Sequence, residues 1–296
     1  MSATVPAANI PVIMVAADCL PEAWEKAVLA VWDNGLEIKT QYDKAEDPPS
    51  KDATVIITIN NPFAEPRIHK NFPGGPGELE AYRQEVVNGI HDHWIDPAGG
   101  KWTYTYHERL CTYSPVEGIR DAHSKRPFSD VNQIQYIVET LSQAGHSRRA
   151  QAITWMPTAD PKTDDPPCLQ RIWCRLVANE AGELSLNMNT YWRSRDLYKA
   201  WFMNVYAFTD LQKMIAEQIS QRRSEPVRIG RYVDISDSLH IYGSYFDEVV
   251  FEVEKMRNSP FTDRAWESTH PAFEMMTIEA REKLIEDPDW YAKAKG

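Results

Sequence analysis

Cysteine is scarce in this 296-residue chain: Cys19, Cys111, Cys168 and Cys174 are scattered and form no CxxC pair. This excludes a disulfide scaffold and the usual spacing of a structural zinc site. No apolar run approaches the ~18–20 residues that span a bilayer, and no basic segment precedes the short apolar run at the start of the chain. A secretory signal is therefore not expected. We expect a cytoplasmic protein with no membrane partner.

Positive charge is also in short supply, with 32 Lys+Arg against 43 Asp+Glu and a net charge of −11 at pH 7. Nucleic acid is excluded as a partner because its phosphate backbone would repel such a protein. An anionic ligand would have to be held by a local arginine cluster. The composition, 43% hydrophobic and 25% charged, is that of an ordinary globular protein. Since neither repeats nor low-complexity linkers occur, we expect one domain over residues 1–296, with a polar tail from about residue 258.

Residue periodicity predicts a mixture of helices and strands. One helix should begin at Pro21 and end before Gly35. Further helices are predicted at 79–90, 131–144 and 197–219. Strands are predicted at 9–16 (a buried one), 53–59, 101–110, 150–157, 169–177, 183–192 and 227–243. The mixture predicts an α+β domain with a large sheet.

Cys168 follows Pro166 and Pro167 at the point where a loop enters a strand. A cysteine there is often only a half-buried side chain at a strand start. A nucleophilic role would need a lowered thiol pKa, which nearby arginines can provide. The sequence offers Arg148 and Arg149 before Cys168 and Arg193 after it.

Five motifs occur in a specific order: Ser147-Arg148-Arg149, Pro166-Pro167-Cys168, Arg193-Ser194-x-Asp196, Asn204 and His240-Ile241-Tyr242. Together they resemble the thymidylate synthase and pyrimidine-nucleotide hydroxymethylase family. The resemblance covers roughly residues 100–250 and is poor in the first hundred. It implies the thymidylate synthase-type α+β fold, with a large mixed sheet, helices on one face and a sheet-to-sheet homodimer.

The resemblance implies a covalent mechanism in which Cys168 attacks carbon 6 of a uracil ring. Carbon 5 then becomes nucleophilic and takes a one-carbon unit from 5,10-methylenetetrahydrofolate. An arginine fork and a hydroxyl suit a phosphate ligand. The implied phosphate ligands are Arg193 and Ser194 of one subunit, Arg148 and Arg149 of its partner, and Lys51 in place of a mobile arginine of the family.

The base, the sugar and the folate are also assigned by resemblance. Asp196 and Trp94 match folate-binding positions, and His240 and Tyr242 match the pair that binds the sugar 3′-hydroxyl. Asn204 matches the residue that reads the base. Its carboxamide offers a donor and an acceptor, which pair with O4 and N3–H of uracil, whereas a carboxyl group would suit cytosine better. Asn204 therefore indicates dUMP.

The family uses a glutamate in an early helix to move protons, and this sequence has Glu78, Glu80 and Glu85 in that region. Glu85 directly precedes an apolar pair, as the family's glutamate does, and is assigned this role. The alternative is that all three glutamates form a solvated helix face. Tyr106 resembles a family tyrosine that helps to remove the proton from carbon 5.

The product depends on whether hydride or water reaches the transferred carbon first. Synthases shield it with the first indole of a W-x-x-W segment, and here His91 takes that place while Trp94 keeps the second ring. A histidine can orient or deprotonate water, and the tail DPDWYAKAKG does not resemble the usual synthase ending. Both departures favour 5-hydroxymethyl-dUMP as the product.

Three other interpretations remain open from the sequence. The first is a divergent thymidylate synthase making dTMP, and the second is a dCMP or CMP hydroxymethylase with a rearranged base site. The third is a nucleotide-binding relative without activity, although binding alone would not need Cys168. A metal site at His91 and His93 is not expected, because no third ligand lies at a suitable spacing.

Overall fold

The computed structural model describes residues 9–114 and 130–295. Its strands are β1 (Val12–Ala17), β2 (Leu36–Ile38), β3 (Ser50–Ile59), β4 (Ile68–His69), β5 (Gln151–Ile153), β6 (Leu169–Ala178), β7 (Leu184–Trp192), β8 (Arg195–Asp196), β9 (Val227–Ile241) and β10 (Ala265–Trp266). Its α-helices are α1 (Leu20–Asn34), α2 (Pro76–Asn88), α3 (Tyr106–Cys111), α4 (Gln133–Gln143), α5 (Trp201–Arg223), α6 (Phe246–Asn258), α7 (Phe261–Arg264), α8 (Pro271–Glu286) and α9 (Trp290–Lys295). In these ranges, none of the helices combines the length and hydrophobicity that a membrane span requires.

The main sheet is mixed and runs in the order β1-β3-β9-β7-β6-β5, with β2 added to β3 and β8 added to β9. β1 is parallel to β3 and β7 is parallel to β9, whereas β3–β9, β7–β6 and β6–β5 are antiparallel. Helices α1 and α5 pack on one face of this sheet, α2 and α4 pack on α5, and α8 packs on α2. The expected α+β fold, with a large mixed sheet and helices on one face, is confirmed.

The two sheet-covering helices follow directly from their sequences. α1 begins with Pro21 in its first turn and ends at Gly35, as predicted. Trp24 is fully buried on the inner face of α1, and its indole donates to the backbone oxygen of Leu197 at 3.0 Å. α5 is buried around most of its circumference as far as Ile219, because it lies between the sheet and the outer helices.

The prediction of a strand at 101–110 is wrong, because α3 occupies the second half of that segment. The hydroxyl of Thr105 accepts from the backbone N–H of Glu108 at 3.0 Å, which caps the helix. Thr105 and Glu108 have the spacing of a capping box, and this local signal outweighs the short alternation of rings before it.

The first strand is also less buried than predicted. Val12 is 68% exposed and Met14 is 80% exposed in the single chain, whereas Val15 and Ala17 are buried. β1 is an edge strand of the sheet, and only its alternate residues face the helices. The outer face of the sheet therefore carries uncovered apolar side chains.

Candidate active site

The topology brings three sequence-distant segments to one edge of the sheet. β6 starts beside the end of β7 because the two strands are antiparallel, and the backbone N–H of Arg193 donates to the oxygen of Cys168 at 2.9 Å. β8 is parallel to β9 and places Asp196 opposite His240. Asn204 lies in the first turn of α5, above the same edge. The residues predicted to be the nucleophile, the phosphate-binding arginine and the base reader therefore meet although they are far apart in the sequence.

A cavity of about 550 Å³ opens at this edge and is called the Cys168 cavity. Its lining includes most of the predicted site residues. The lining residues are Tyr42, Tyr82, Tyr106, Asp164, Asp165, Cys168, Trp192, Arg193, Ser194, Arg195, Asp196, Ala200, Asn204, His240 and Tyr242.

The thiol of Cys168 lies in a mixed electrostatic environment. Burial raises its pKa, and Asp165 raises it further, while the Arg193 and Arg195 guanidinium groups lower it. Burial prevails, so the pKa stays above its ordinary value. Arg193 is one of the arginines that the sequence offered for this role, but in the free protein burial and Asp165 outweigh it and Arg195.

Arg193 connects the nucleophile loop to the turn between β7 and β8. Its Nε donates to the backbone oxygen of Pro167 at 3.1 Å, and its Nη2 donates to that of Pro166 at 2.5 Å. These charge-assisted contacts fix the two prolines that precede Cys168. Ser194 lies beside Arg193 in the cavity wall, so a guanidinium and a hydroxyl are available together for an anion.

His240 is a neutral imidazole in this site. Burial lowers its pKa to about 4. Its Nδ1 lies 3.3 Å from the Ser238 hydroxyl, while its buried Nε2 has no hydrogen-bond partner in the part of the chain that the structure describes. The ring of Tyr242 meets it edge-on, with ring centres 4.5 Å apart. An unpaired Nε2 at a cavity wall suits a ligand hydroxyl.

Asp196 is held by its own backbone turn. The N–H groups of Tyr198 and Lys199 donate to its Oδ1 at 2.9 and 3.0 Å. Burial nevertheless raises its pKa to about 6. The carboxyl group can therefore accept or donate a hydrogen bond close to neutral pH.

Tyr106 lies against the cysteine loop. Its hydroxyl accepts from the backbone N–H of Leu169 at 3.3 Å, and its ring packs edge-on against Trp192 and Phe208. Burial and the neighbouring Cys168 raise its pKa. Tyr106 therefore remains a hydroxyl that can relay a proton.

A second cavity, of about 600 Å³, shares Tyr82, Tyr106, Asp164 and Asp165 with the first and is called the Glu85 cavity. The residues particular to it are Glu85, Lys101, Trp102, Thr103, Tyr104, Thr105, Lys162 and Thr163. The two cavities are therefore adjacent, and the second has charged and hydroxyl side chains beside its aromatic rings.

The three candidate glutamates lie in different environments in the structure. Glu85 lines the second cavity. Glu80 is buried and accepts from the guanidinium groups of Arg83 and Arg281 at 2.7–2.9 Å, so it joins α2 to α8. Glu78 lies near the Tyr291 hydroxyl at 3.4 Å. Of the three, Glu85 is the one in the walls of the two cavities formed by the described residues, which supports its assignment as the proton-moving group.

His91 lies behind Glu85, and the cavity walls formed by the described residues do not include it. It is 4% exposed, its Nδ1 is 2.8 Å from Glu85 Oε2, and its Nε2 is 3.0 Å from the backbone oxygen of Pro288. Its ring stacks on Trp94 with 3.7 Å between ring centres. Both ring nitrogens of His91 therefore have partners in the free protein, and its role in orienting or deprotonating water stays a prediction.

The C-terminal tail contacts the turn formed by residues His91–Trp94. Asp289 Oδ1 accepts from Trp94 Nε1 at 2.6 Å and lies 2.9 Å from His93 Nε2. His93 is thereby engaged by the tail. Among residues 9–114 and 130–295, no group of three or more His, Cys, Asp or Glu side chains is arranged to hold a metal ion.

Three predicted phosphate ligands lie outside the Cys168 cavity of the single chain. Arg148 and Arg149 are exposed on the segment before β5. Lys51 extends over the Trp32 ring at 5.2 Å and lies 3.8 Å from Glu37. The roles of these three residues stay predictions.

Sequence reasoning missed several residues that line the cavities. Tyr82 lies on α2 one turn before Glu85, and this helical spacing could have identified it. Trp102 and Tyr104 precede α3, in the segment that was predicted to be a strand. Asp165 had no recognisable signal, because a loop acid acquires its effect on Cys168 only through the fold.

Comparison with known proteins gives consistent results. The family model described as thymidylate synthase matches residues 81–282. The putative thymidylate synthase of Methanosarcina mazei is 25% identical over 238 residues, which cover 80% of this chain and 92% of that protein. That of Methanothermobacter marburgensis is 28% identical over 248 residues, covering 79% and 95%. The structure of thermostable thymidylate synthase A from Bacillus subtilis matches with a TM-score of 0.55 at 18% identity, covering 80% of this chain and 84% of that one.

Proposed function

Since the chain belongs to the thymidylate synthase family, whose members are one-carbon transferases, we propose that it converts dUMP to 5-hydroxymethyl-dUMP. In this reaction dUMP, methylenetetrahydrofolate and water give 5-hydroxymethyl-dUMP and tetrahydrofolate. The observation that carries the choice of water is the Glu85 carboxyl group, which lines the cavity next to the Cys168 cavity and is hydrogen-bonded to His91.

The Cys168 cavity fits a deoxyribonucleotide. Arg193 and Ser194 supply a fork and a hydroxyl for the phosphate, and the unpaired His240 Nε2 can donate to or accept from the sugar hydroxyl. Asn204 offers a donor and an acceptor to O4 and N3–H of uracil. Burying a wrongly paired base edge costs about 1–3 kcal/mol per lost hydrogen bond.

The Glu85 cavity fits the folate. Trp102 and Tyr104 offer aromatic surfaces for its planar rings, and Asp196 lies in the wall of the adjoining cavity. The folate supplies an electrophilic one-carbon unit at the formal oxidation level of formaldehyde. Every other chemical task falls to the side chains of the protein.

The proposed chemistry starts when the Cys168 sulfur forms a bond to C6 and the displaced electron pair moves onto O4. The N–H of Asn204 stabilises the resulting enolate. After C5 has bonded to the one-carbon unit, the C5 proton leaves by way of water held at Tyr106, and the folate nitrogen departs with the bonding pair. Glu85 takes a proton from a water molecule while the oxygen of that water bonds to the exocyclic methylene. The C6–S bond then breaks, and its electron pair leaves with Cys168.

Formation of dTMP is the second candidate, and one observation favours it. Trp102 is 42% exposed and lines the Glu85 cavity, with its ring edge-on to Trp94 at 4.7 Å between centres. If this indole covered the exocyclic methylene, it would exclude water and favour hydride transfer from the folate.

One incubation separates the two products. The protein is given dUMP and methylenetetrahydrofolate, and the product mass and the absorbance of dihydrofolate are measured. A hydroxymethyl product without dihydrofolate supports the proposal, whereas dTMP with stoichiometric dihydrofolate contradicts it. If dUMP is not turned over, dCMP and CMP are tested, and turnover of either would show that the base assignment is wrong.

We also propose a homodimer formed through the uncovered face of the sheet. Val12, Met14, Ile153 and Val177 are exposed apolar side chains on sheet strands of the single chain, and a second copy would remove such side chains from water. In this arrangement the exposed Arg148–Arg149 segment would reach the phosphate of the partner subunit.

A further inference from the structure

Tyr82 contacts Asn204, and neither the sequence motifs nor the proposed chemistry gives it a role. The packing of α2 on α5 brings the two side chains together. Asn204 Nδ2 donates to the Tyr82 hydroxyl oxygen at 2.8 Å, and the Asn204 side chain is largely buried. Tyr82 also lines both cavities, so it stands at their junction.

We propose that Tyr82 determines base specificity by fixing which way the Asn204 carboxamide points. This assignment rests on the proposed use of dUMP. An asparagine can present its oxygen and nitrogen in either order, and the two orders read different bases. With nitrogen toward position 4 and oxygen toward position 3, the amide pairs with uracil; with the order reversed, it pairs with cytosine.

The position of Tyr82 determines which of the two orientations of the Asn204 carboxamide is favoured. Carbon 5 must face the Glu85 cavity to receive the one-carbon unit, so position 4 of the ring lies on that side. Tyr82 stands on the same side and holds Nδ2 there. The amide nitrogen carries two hydrogens, so one can bind Tyr82 while the other donates to O4 of uracil.

The charge around Tyr82 supports the observed orientation. Burial raises the pKa of Tyr82, and the Tyr106 oxygen and Glu85 add to this, so the hydroxyl stays protonated. The Glu85 carboxylate, one helical turn further along α2, attracts the hydroxyl proton electrostatically. The oxygen lone pairs of Tyr82 are then free to accept from Asn204 Nδ2, and the reversed amide is disfavoured.

Equilibrium binding of dUMP and dCMP to the full chain tests the proposal without depending on the product. Dissociation constants are measured by calorimetry for the wild type, Tyr82→Phe and the control Tyr206→Phe. Tyr206 is also buried and lies on α5 close to Asn204, but in the described structure its hydroxyl has no hydrogen bond to Asn204 and it lines neither cavity. We expect the wild type to prefer dUMP and Tyr82→Phe to reduce that preference roughly ten-fold, while Tyr206→Phe retains it.

The ratio of affinities distinguishes specificity from a merely structural role. If Tyr82→Phe weakens both nucleotides equally, Tyr82 only supports the fold and the proposal is overturned. If the wild type itself prefers dCMP, the proposed base and the proposed amide direction are both wrong. If the ratio falls in Tyr82→Phe but the turnover product is dTMP, the role of Tyr82 stands and only the proposed product fails.

Discussion

At the scale of single residues, Cys168 is the group whose state limits the proposed chemistry. Burial and Asp165 raise its thiol pKa, and Arg193 and Arg195 oppose them. A raised pKa means that less thiolate is present at neutral pH in the free protein. We therefore expect the free protein to hold Cys168 mainly as the thiol at neutral pH.

Alkylation measures this state directly. With iodoacetamide, we expect modification of Cys168 to be slow at pH 7 and its rate to continue rising through about pH 9. Cys168→Ser is the control for reaction at the half-buried Cys111, since Cys19 and Cys174 are buried. A rate that is already at its plateau near pH 7 would show that the arginines prevail over burial.

The same variant tests covalent catalysis. We expect Cys168→Ser to lower turnover of dUMP by at least about 10³-fold, with the dissociation constant of dUMP nearly unchanged because binding needs no thiol. The measurements are single-turnover product formation and calorimetric titration. Substantial turnover by the variant would contradict attack by Cys168.

At the scale of elements, the contact between the C-terminal tail and the His91–Trp94 turn positions the wall of the Glu85 cavity. Asp289 engages Trp94 and His93, and the oxygen of Pro288 contacts His91. His91 in turn holds the Glu85 carboxylate. Tail, turn and α2 therefore form one continuous chain of contacts that ends at a proposed catalytic group.

Removal of the contact between Asp289 and the His91–Trp94 turn should weaken the binding of folate more than the binding of nucleotide. We expect Asp289→Ala to raise the KM for methylenetetrahydrofolate roughly three- to ten-fold and to leave the KM for dUMP unchanged, as measured by steady-state kinetics. Glu286→Ala is the control, because Glu286 is an exposed acidic residue three positions before Asp289 and, among the described residues, forms no ion pair with the turn. Equal effects of both variants would show that the tail acts only through overall stability.

The sequence predicted elements with long periodic patterns, such as α1, α5 and the β6–β7 pair. It failed where a short signal competed with a longer one: the ring alternation at 101–105 masked the Thr105 cap of α3. Cys168 and Asn204, which the motifs singled out, line one cavity, and their roles stay predictions. Partners such as Tyr82 and Asp165 could not be predicted as a group, because only the packing of α2 and of the 160–167 loop brings them there.

At the scale of the whole molecule, the Cys168 cavity has only part of its proposed phosphate site in one chain. Arg193 and Ser194 lie in its wall, whereas Arg148 and Arg149 are exposed on the chain surface. The uncovered apolar face of the sheet, marked by Val12, supplies the surface through which a second copy would bring its arginines.

Mixed dimers test whether sites are shared. Cys168→Ser and the double variant Arg148→Ala/Arg149→Ala should each be nearly inactive, yet an equal mixture that exchanges subunits should regain roughly a quarter of wild-type activity, because half of the dimers would carry one intact site. The control mixes Cys168→Ser with Arg193→Ala. Because one subunit supplies both residues to its own site, each site of this mixed dimer carries one of the two substitutions, and no activity should return. Absence of rescue in the first mixture would contradict the shared site.

The contact between the tail and the turn also has a consequence for how this protein could have evolved. The match to the family model ends at residue 282, so Pro288 and Asp289 lie beyond it, while the turn they contact lies within it. A change in either partner alone would leave an unpaired carboxylate or indole N–H. His91, Trp94 and the tail should therefore vary together among close relatives, as a single inherited unit, and sequences with a different ending should also differ at the turn.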